Sequence, residues 1–305
     1  MEIRDIRYFK EVAAHLNLGR AASALDMSTT ALSKSLRRLE KSVGGKLVKR
    51  TPKGVELTAI GAALHAQAGR LQLVLDDIRH QTADLASGRA GHVRAGATAG
   101  LAEYCLSAAY EALLKEAPMV SIRASVVSSY QIDSLLRSGD VDITVNTVRP
   151  SIAPDLVCEL LFRDYRVVYA AANHRLAKRK RVTFAELAEE QWSSDIEASS
   201  WKVLCRQFED RGLRIPKVVM ESNSLELRLP VIAASNLLIH SSSIVVQRAK
   251  QRYRLVELPV EGFSIAREIG VYYRKDGYLS SAAKRMIEIL KEQGRAAHGR
   301  QTRNK

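Results

Sequence analysis

Residues 18–58 read LGRAASALDMSTTALSKSLRRLEKSVGGKLVKRTPKGVELT, and this stretch decides the fold of the N-terminal part of the chain. Its alanine-rich run, Arg20–Leu25, is typical of one short helix, and Asp26-Met27 supplies a turn. Ser28 follows at the position where a hydroxyl caps the first N–H groups of a second helix. The stretch therefore predicts two short helices joined by a tight turn.

The second helix has two chemically different faces. One face is an apolar stripe, because leucines and a valine recur at spacings of four, three and four residues: Leu32, Leu36, Leu39 and Val43. The opposite face carries hydroxyls and cations: Thr30, Ser33, Lys34, Arg37 and Lys41. Such a helix fits the major groove of a DNA duplex, where short donors contact base edges and cations meet phosphates. The alternative is an amphipathic helix with a solvated polar face.

Charge and a following hairpin favour DNA. Residues 1–58 hold 12 lysines and arginines against 6 acidic residues, a net charge of +6. The runs Lys46–Arg50 and Val55–Leu57 resemble short strands around the turn Thr51–Gly54, so the hairpin is predicted to form a wing along the DNA backbone. Candidate groove contacts are Thr29, Thr30, Ser33, Lys34 and Arg37, with Arg50 and Lys53 on phosphates, and Arg38 is a further candidate DNA-binding residue.

Residues 1 to about 90 resemble the winged helix-turn-helix of the LysR-type transcriptional regulators. The resemblance rests on Ile6, Phe9, Ala21-Ala22, Ser28, Ala31-Leu32-Ser33, Leu39-Glu40, Leu47, Arg50, Gly54, Leu57-Thr58 and Gly61. Two positions depart from the family pattern: Thr29-Thr30 stands where Gln-Pro is common, and Val48 where Phe is common. Because threonine lacks the amide that pairs with adenine, the base preference of relatives is not carried over.

Composition gives broader limits. A chain of 305 residues predicts two or three folding units. A net charge of +14 favours a polyanionic partner. No apolar run reaches the roughly 18 residues of a membrane span, and the charged N-terminus lacks a signal-peptide core, so we expect a cytoplasmic protein. Three widely separated cysteines, Cys105, Cys158 and Cys205, do not form a disulfide framework.

A long helix is predicted after the hairpin, over residues 59–88, with Thr58 as its cap. Leucine or isoleucine recurs every seven residues at Leu57, Leu64, Leu71, Ile78 and Leu85. This heptad pattern predicts dimerisation through the linker helix, which would place two recognition helices on successive turns of DNA. The alternative is that the seam packs against its own chain.

From residue 92 the pattern changes to alternating strands and helices, which predicts an α/β fold with a mainly parallel sheet. This part resembles the family's effector-binding domain, which has the type II periplasmic-binding-protein fold of two α/β subdomains. The resemblance implies subdomain I at 92–162 and 267–295 and subdomain II at 163–266. Residues 296–305 are predicted to be a disordered tail.

An effector would bind where strands end and helices begin, because ligands of open α/β sheets collect there. Hydroxyls and amides dominate these positions, with few cations, so a small organic molecule is expected, an acid being one candidate. The predicted contacts are Thr98, Ser128, Ser129, Asn146, Thr147, Ser199, Ser200, Ser222 and Asn223. Ordinary helix capping is the alternative use of these residues.

No enzyme, metal or cofactor pattern is present in the sequence. Gly91 and Gly96 have the spacing of a phosphate loop, but Ala97-Thr98 follows where Lys-Ser/Thr is required. His174 is expected on a surface loop, and His240 in the core or at a ligand. Cys205 precedes Arg206, which would lower a thiol pKa and suggests a redox switch as an alternative.

The sequence is therefore identified as a member of the LysR-type regulators, with DNA and a small effector as partners. The resemblance implies a homotetramer in which the effector changes DNA binding or bending. A redox-responsive regulator and a constitutive architectural DNA-binding protein are the alternative functions.

Overall fold

The computed structural model describes residues 1–87, 91–129, 131–195, 199–263 and 265–301. It divides into two compact units, Met1–Ala83 and Asp84–Lys305.

The first unit is a helix-turn-helix with a wing. Its elements are α1 (Ile3–His15), α2 (Leu18–Ala24), α3 (Thr29–Val43), the antiparallel strands β1 (Val48–Thr51) and β2 (Gly54–Leu57), and the start of α4 (Ala59–Ser87). The predicted caps are confirmed, since the Ser28 hydroxyl accepts a hydrogen bond from the Ala31 N–H at 3.2 Å, and Thr58 Oγ1 one from the Gly61 N–H at 3.0 Å. At Gly61 any side chain would overlap the Leu47 carbonyl oxygen, so α4 contacts the wing closely.

Two small cores hold this unit together. Phe9 and Leu39 pack with Leu47 in one core, and Val12 packs with Leu32 in the other. All five side chains are almost completely buried, which places the apolar stripe of α3 inside as predicted.

The heptad seam of α4 has two different halves. Leu64, Ala68 and Leu71 pack onto the core around Phe9, so the alternative of packing against the same chain holds for this half. Farther along, Ile78 and Leu85 are 51% and 77% exposed. These two seam residues are open to a partner helix, and dimerisation there stays a prediction.

The second unit is built on a nine-stranded mixed sheet in the order β4-β3-β5-β11-β6-β9-β7-β8, with β10 paired to β6. Its strands are β3 (His92–Ala97), β4 (Ser121–Val126), β5 (Ile143–Thr147), β6 (Leu156–Ala171), β7 (Gln191–Ser194), β8 (Lys217–Glu221), β9 (Leu238–Ser242), β10 (Leu255–Glu257) and β11 (Ile265–Arg274). Helix α5 (Ala99–Leu101) continues through a π-helical turn (Ala102–Leu106) into α6 (Ser107–Glu116). The other helices are α7 (Ile132–Ser138), α8 (Phe184–Ala188), α9 (Ser199–Glu209), α10 (Leu225–Ala233), α11 (Ser243–Tyr253) and α12 (Ser281–Gln301).

The α/β prediction is confirmed, but the sheet is less parallel than expected. The outer pairs β3–β4, β3–β5, β7–β8 and β7–β9 are parallel, whereas β11 pairs antiparallel with β5 and β6, and β6 also pairs antiparallel with β9 and β10. Strand β6 is the longest strand of the sheet, with sixteen residues from Leu156 to Ala171. Charged residues such as Glu159, Arg163 and Asp164 interrupt the apolar pattern by which a strand is recognised.

Separate hydrophobic cores lie at the two ends of the sheet. Val93, Ile143 and Met286 belong to the core at the β3 end, and Trp192 and Phe208 to a core at the β7 end. The long strands β6 and β11 connect the two ends.

The C-terminal tail differs from the prediction. Helix α12 continues to Gln301, because residues such as Glu292, Gln293 and Ala296 are good helix formers. Residues 302–305 lie outside the described residues.

Candidate functional site

Helix α3 presents the predicted DNA-contacting face to solvent. Thr29, Thr30, Lys34 and Arg37 are exposed and Ser33 is partly exposed. Among the described residues, Lys34 and Arg37 have no ion-pair partner, so both charges are available to phosphates.

Arg38 differs from its neighbours, because its guanidinium binds the buried carboxylate of Asp5 on α1. Arg38 Nε donates to Asp5 Oδ2 at 2.7 Å, and Ser35 donates to the same carboxylate at 2.6 Å. Hydrogen bonding to Arg38 lowers the pKa of Asp5, which keeps the carboxylate charged. Arg38 therefore fixes α3 on α1, and its contact with DNA stays a prediction.

The wing places two more predicted cations at the surface. Strands β1 and β2 pair from Val48↔Leu57 to Thr51↔Gly54, and Pro52-Lys53 forms the tip. Arg50 and Lys53 are exposed, and neither has an acidic partner among the described residues. Lys49, in contrast, is paired with Glu56 at 2.7 Å.

The second unit contains an open cavity of about 1000 Å³ at the carboxyl ends of its strands. The predicted residues that line this cavity are Thr98, Ser128, Ser129, Asn146, Thr147, Ser200, Ser222 and Asn223. The remaining one, Ser199, begins α9, and its side chain lies outside the described residues. Their binding of an effector stays a prediction.

Some of these hydroxyls serve local structure and others do not. Ser222 Oγ accepts a hydrogen bond from the Ser224 N–H at 3.1 Å, and Ser224 caps α10. Thr98 stands at the N-cap of α5, but its hydroxyl makes no capping bond. Capping therefore accounts for Ser222 and Ser224 but leaves the Thr98 hydroxyl available to a ligand.

Three arginines line the cavity, so the expectation of few cations is wrong. Arg166 lies on β6, Arg228 on α10 and Arg267 on β11. Arg267 is neutralised by the fully buried Asp164, with Nε donating to Oδ2 at 2.7 Å. Asp164 also accepts from Ser242 Oγ at 2.7 Å, so its bonding capacity is largely used.

Arg166 and Arg228 lack such neutralisation. The pKa of Arg166 is lowered to about 9, mainly by burial and also by the nearby Arg267 and Arg228, while Asp164 opposes the shift. Arg228 is 8% exposed; burial lowers its pKa, and Asp195 opposes the shift. Neither guanidinium forms an ion pair within the described part of the chain. An arginine keeps its proton near neutral pH, so both guanidiniums stay charged although their surroundings lower their pKa values. The wall of the cavity therefore holds positive charge that is poorly compensated.

His240 lies beside the arginines on the cavity wall. It is 6% exposed, its ring packs edge-on against Phe263, and its Nε2 has no hydrogen-bond partner within the described residues. Burial first, and then the charges of the three arginines, lower the pKa of His240 well below 6.5. The imidazole is therefore neutral near pH 7.

Two of these cavity arginines, which the sequence analysis did not select, are recognisable from their neighbours in sequence. Arg166 directly precedes the apolar run from Val167, and Arg228 stands between Leu227 and Leu229. A single charge in an apolar segment is costly to bury without a purpose.

Two other sequence expectations require correction. His174 is buried rather than on the surface: it is 2% exposed, and its Nδ1 accepts a hydrogen bond from the Leu176 N–H at 3.2 Å. Burial and Glu209 raise the pKa of Cys205, although Arg206 is its neighbour in sequence. This direction works against the reactive thiolate that a redox switch requires.

Neither a metal cluster nor a membrane span emerges from the described ranges. These ranges contain no group of three or more histidine, cysteine or acidic side chains arranged to hold a metal ion. Within the same ranges, no helix is both long and apolar enough to cross a bilayer.

Comparison with known proteins assigns both units to one family. Residues 3–62 match the family described as bacterial regulatory helix-turn-helix protein, lysR family, and residues 86–295 match the LysR substrate binding domain. The RuBisCO operon transcriptional regulator of Allochromatium vinosum is 27% identical over 301 residues, covering 98% of this chain and 99% of that protein. The uncharacterized HTH-type transcriptional regulator YdcI of Escherichia coli (strain K12) is 28% identical over an alignment that covers 96% of this chain and 95% of YdcI.

Solved structures share the fold. The crystal structure of CbnR, a LysR family transcriptional regulator, superposes with a TM-score of 0.64 at 18% identity, covering 96% of this chain and 99% of CbnR. Full-length CbnR in complex with its target DNA gives a TM-score of 0.65 at 19% identity, with the same coverage. These relatives are transcriptional regulators, not enzymes. With a family match that covers more than half of its length, the chain belongs to the LysR family of DNA-binding transcriptional regulators.

Proposed function

We propose that this regulator binds a small anionic effector, an organic acid, in the cavity of its second unit and thereby changes its binding or bending of DNA. The observation that carries the proposal is Arg166. Its guanidinium lines the cavity, lies near two further arginines and forms no ion pair in the described ranges, since Asp164 is bound to Arg267. A bound carboxylate would supply the missing counter-charge.

The surrounding geometry supports an anion. Helices α9 and α10 both begin at the cavity, where Ser200, Ser224 and Leu225 line it. Unpaired N–H groups at helix N-termini favour negative charge. Arg228 adds a second, independent indication, because its Nε is buried without a partner. The matched domain is a substrate binding domain, which agrees with a ligand in this cavity.

DNA binding follows from the exposed face of α3 and from the wing. We propose that Thr29, Thr30, Ser33, Lys34 and Arg37 enter the groove, and that Arg50 and Lys53 contact phosphates. Two such units would be joined by α4 through Val74, Ile78 and Leu85, which are 55%, 51% and 77% exposed. The family resemblance extends this dimer to a tetramer in the cytoplasm.

An effector changes DNA binding only as far as it prefers one arrangement of the assembly over another. The ligand therefore has to bind more tightly in one DNA-binding state. Its negative charge would be drawn to the arginine cluster in either state, so the selectivity has to come from how tightly the cavity closes around it.

The proposal that the effector is an anion is tested by measuring the melting temperature of the full chain with carboxylic acids and with their primary amides. Each acid is compared with the amide of matching size. We expect one or more acids to raise the melting temperature while the matched amides do not, since a ligand at 100 times its Kd adds about 2.7 kcal/mol. Equal stabilisation by acid and amide, or no response to any acid, would contradict the proposal.

A further inference from the structure

The wall of the cavity is a polar strip across the central strands β6 and β9. Arg166 pairs with Ser242, and Val168 pairs with His240, in the antiparallel register. Directly opposed residues, and residues two apart on a strand, point to the same face of a sheet. Arg166, Ser242 and His240 therefore share one face, and all three line the cavity.

The charges around this strip sum to one positive charge, with Arg166, Arg228 and Arg267 against Asp164 and Asp195. Arg267 is bound by Asp164, whereas Asp195 lies near Arg228 without forming an ion pair with it in the described ranges. Glu221 also lines the cavity, but it is exposed, so water screens its charge. The net charge of +1 at the strip calls for one anionic group on the ligand rather than two, and Arg166 lies at its centre beside Arg228 and Arg267.

The rest of the wall offers neutral hydrogen-bonding groups. His240 presents a buried, unpartnered Nε2 and carries no charge near neutral pH. The Thr98 hydroxyl makes no capping bond, and the buried Asn146 amide also lines the cavity. A buried polar atom without a partner is costly, so a ligand that bonds to it is favoured over one that does not.

We propose that the effector is a hydroxylated monocarboxylic acid, and that His240 is the residue that recognises a hydroxyl group. This inference rests on the proposed function. Arg166 holds the single carboxylate, and His240 Nε2 exchanges a hydrogen bond with a neutral hydroxyl. Either imidazole tautomer serves, because a hydroxyl both donates and accepts.

The test compares three acids with six carbons each: gluconate, hexanoate and adipate. Gluconate has one carboxylate and five hydroxyls, hexanoate has one carboxylate and none, and adipate has two carboxylates. Binding to the full chain is measured by calorimetry and by melting temperature. We expect gluconate to bind at least about tenfold more tightly than either analogue, which corresponds to one buried hydrogen bond left unmade. A second set, glycerate, propionate and malonate, repeats the comparison at three carbons.

Variants at His240 separate recognition from general binding. His240→Phe keeps the ring and its packing against Phe263 but removes both nitrogens, so the preference for gluconate or glycerate should fall to within about twofold. His240→Gln retains a hydrogen-bonding group and should keep most of the preference. Tyr110→Phe, which removes a buried unpartnered hydroxyl outside the cavity, should leave it unchanged.

The possible failures are distinguishable. If acids bind but the hydroxylated members have no advantage, or if the advantage survives in folded His240→Phe, the role of His240 is refuted while the anionic effector stands. If adipate and malonate bind most tightly, the effector is a dianion and the charge count is wrong. If no acid in either set binds, both this inference and its basis in the anionic cavity are overturned.

Discussion

Replacing Arg166 by methionine should make the ligand-free protein more stable while removing its response to acids. The side chain lies on the cavity wall beside Arg228 and Arg267 and forms no ion pair in the described ranges. A pKa lowered from 12.5 to about 9 corresponds to roughly 5 kcal/mol against the charged form. Arginine cannot relieve this cost by losing its proton, so the folded state bears it.

The net gain will be smaller than this upper value. Methionine also loses the attraction between the guanidinium and Asp164, and water in the open cavity screens part of the repulsion. Replacement of a buried ion pair or triad by apolar side chains of similar volume leaves the stability of other proteins unchanged or raises it by about 1–4 kcal/mol. We expect the lower part of that range, about 1–2 kcal/mol, which raises the melting temperature by roughly 2–8 °C.

The assay is thermal and urea unfolding of the full chain, with and without an acid that stabilises the wild type. Arg163→Met is the matched control, because Arg163 lies on the same strand but is exposed and paired with Glu268 at 3.1 Å. It should change neither the stability by more than about 0.5 kcal/mol nor the response to acid. Loss of stability in Arg166→Met, or an undiminished response to acid, would refute the argument that this charge is held for a ligand.

Three further predictions concern DNA, pH and assembly. Arg37→Ala should weaken binding to an operator duplex and reduce the slope of log K against log salt by about 1, without lowering the melting temperature. Arg38→Ala should lower the melting temperature, because the buried Asp5 loses its partner. Equal effects of the two variants on stability would argue against these roles. The pKa of His240 is lowered on folding, so at low pH the unfolded chain binds a proton that the folded chain does not. The free energy of unfolding should therefore fall as pH drops below about 6.5, and His240→Gln should flatten this part of the plot of unfolding free energy against pH. An unchanged slope would count against the buried neutral imidazole. Leu85→Lys should weaken the dimer by tenfold or more in sedimentation equilibrium, and an unaltered dimer would place the interface elsewhere.

The parts of the fold that depend on neighbouring residues could be predicted from the sequence. Ser28 and Thr58 cap helices within three residues of themselves, and the wing turn joins strands separated by two residues. The carboxyl-end rule also placed Thr98 and Asn146 on the cavity correctly, because it needs only the order of strands and helices.

Long-range pairing determined what could not be predicted. Arg166 and Arg267 lie about 100 residues apart in sequence, and only the pairing of β6 with β11 brings them to one wall. The same pairing supplies Asp164, which neutralises one arginine and leaves the other available. Local sequence patterns carry no information about the register between β6 and β11, so the prediction from sequence underestimated the positive charge of the cavity.

The seam of α4 shows a related limit. A heptad pattern indicates that one face is covered but not by which partner. Leu64 and Leu71 pack onto the core of their own unit, whereas Ile78 and Leu85 of the same seam are exposed.

The central claim is that an anion bound at Arg166 changes how this regulator engages DNA. The most direct measurement is the affinity and bend of a duplex selected from genomic fragments, determined by fluorescence energy transfer with and without the acid that raises the melting temperature. We predict a change in affinity or bend for the wild type that disappears in Arg166→Met, although that variant still binds the duplex. An acid that binds the wild type yet leaves both affinity and bend unchanged would contradict the claim.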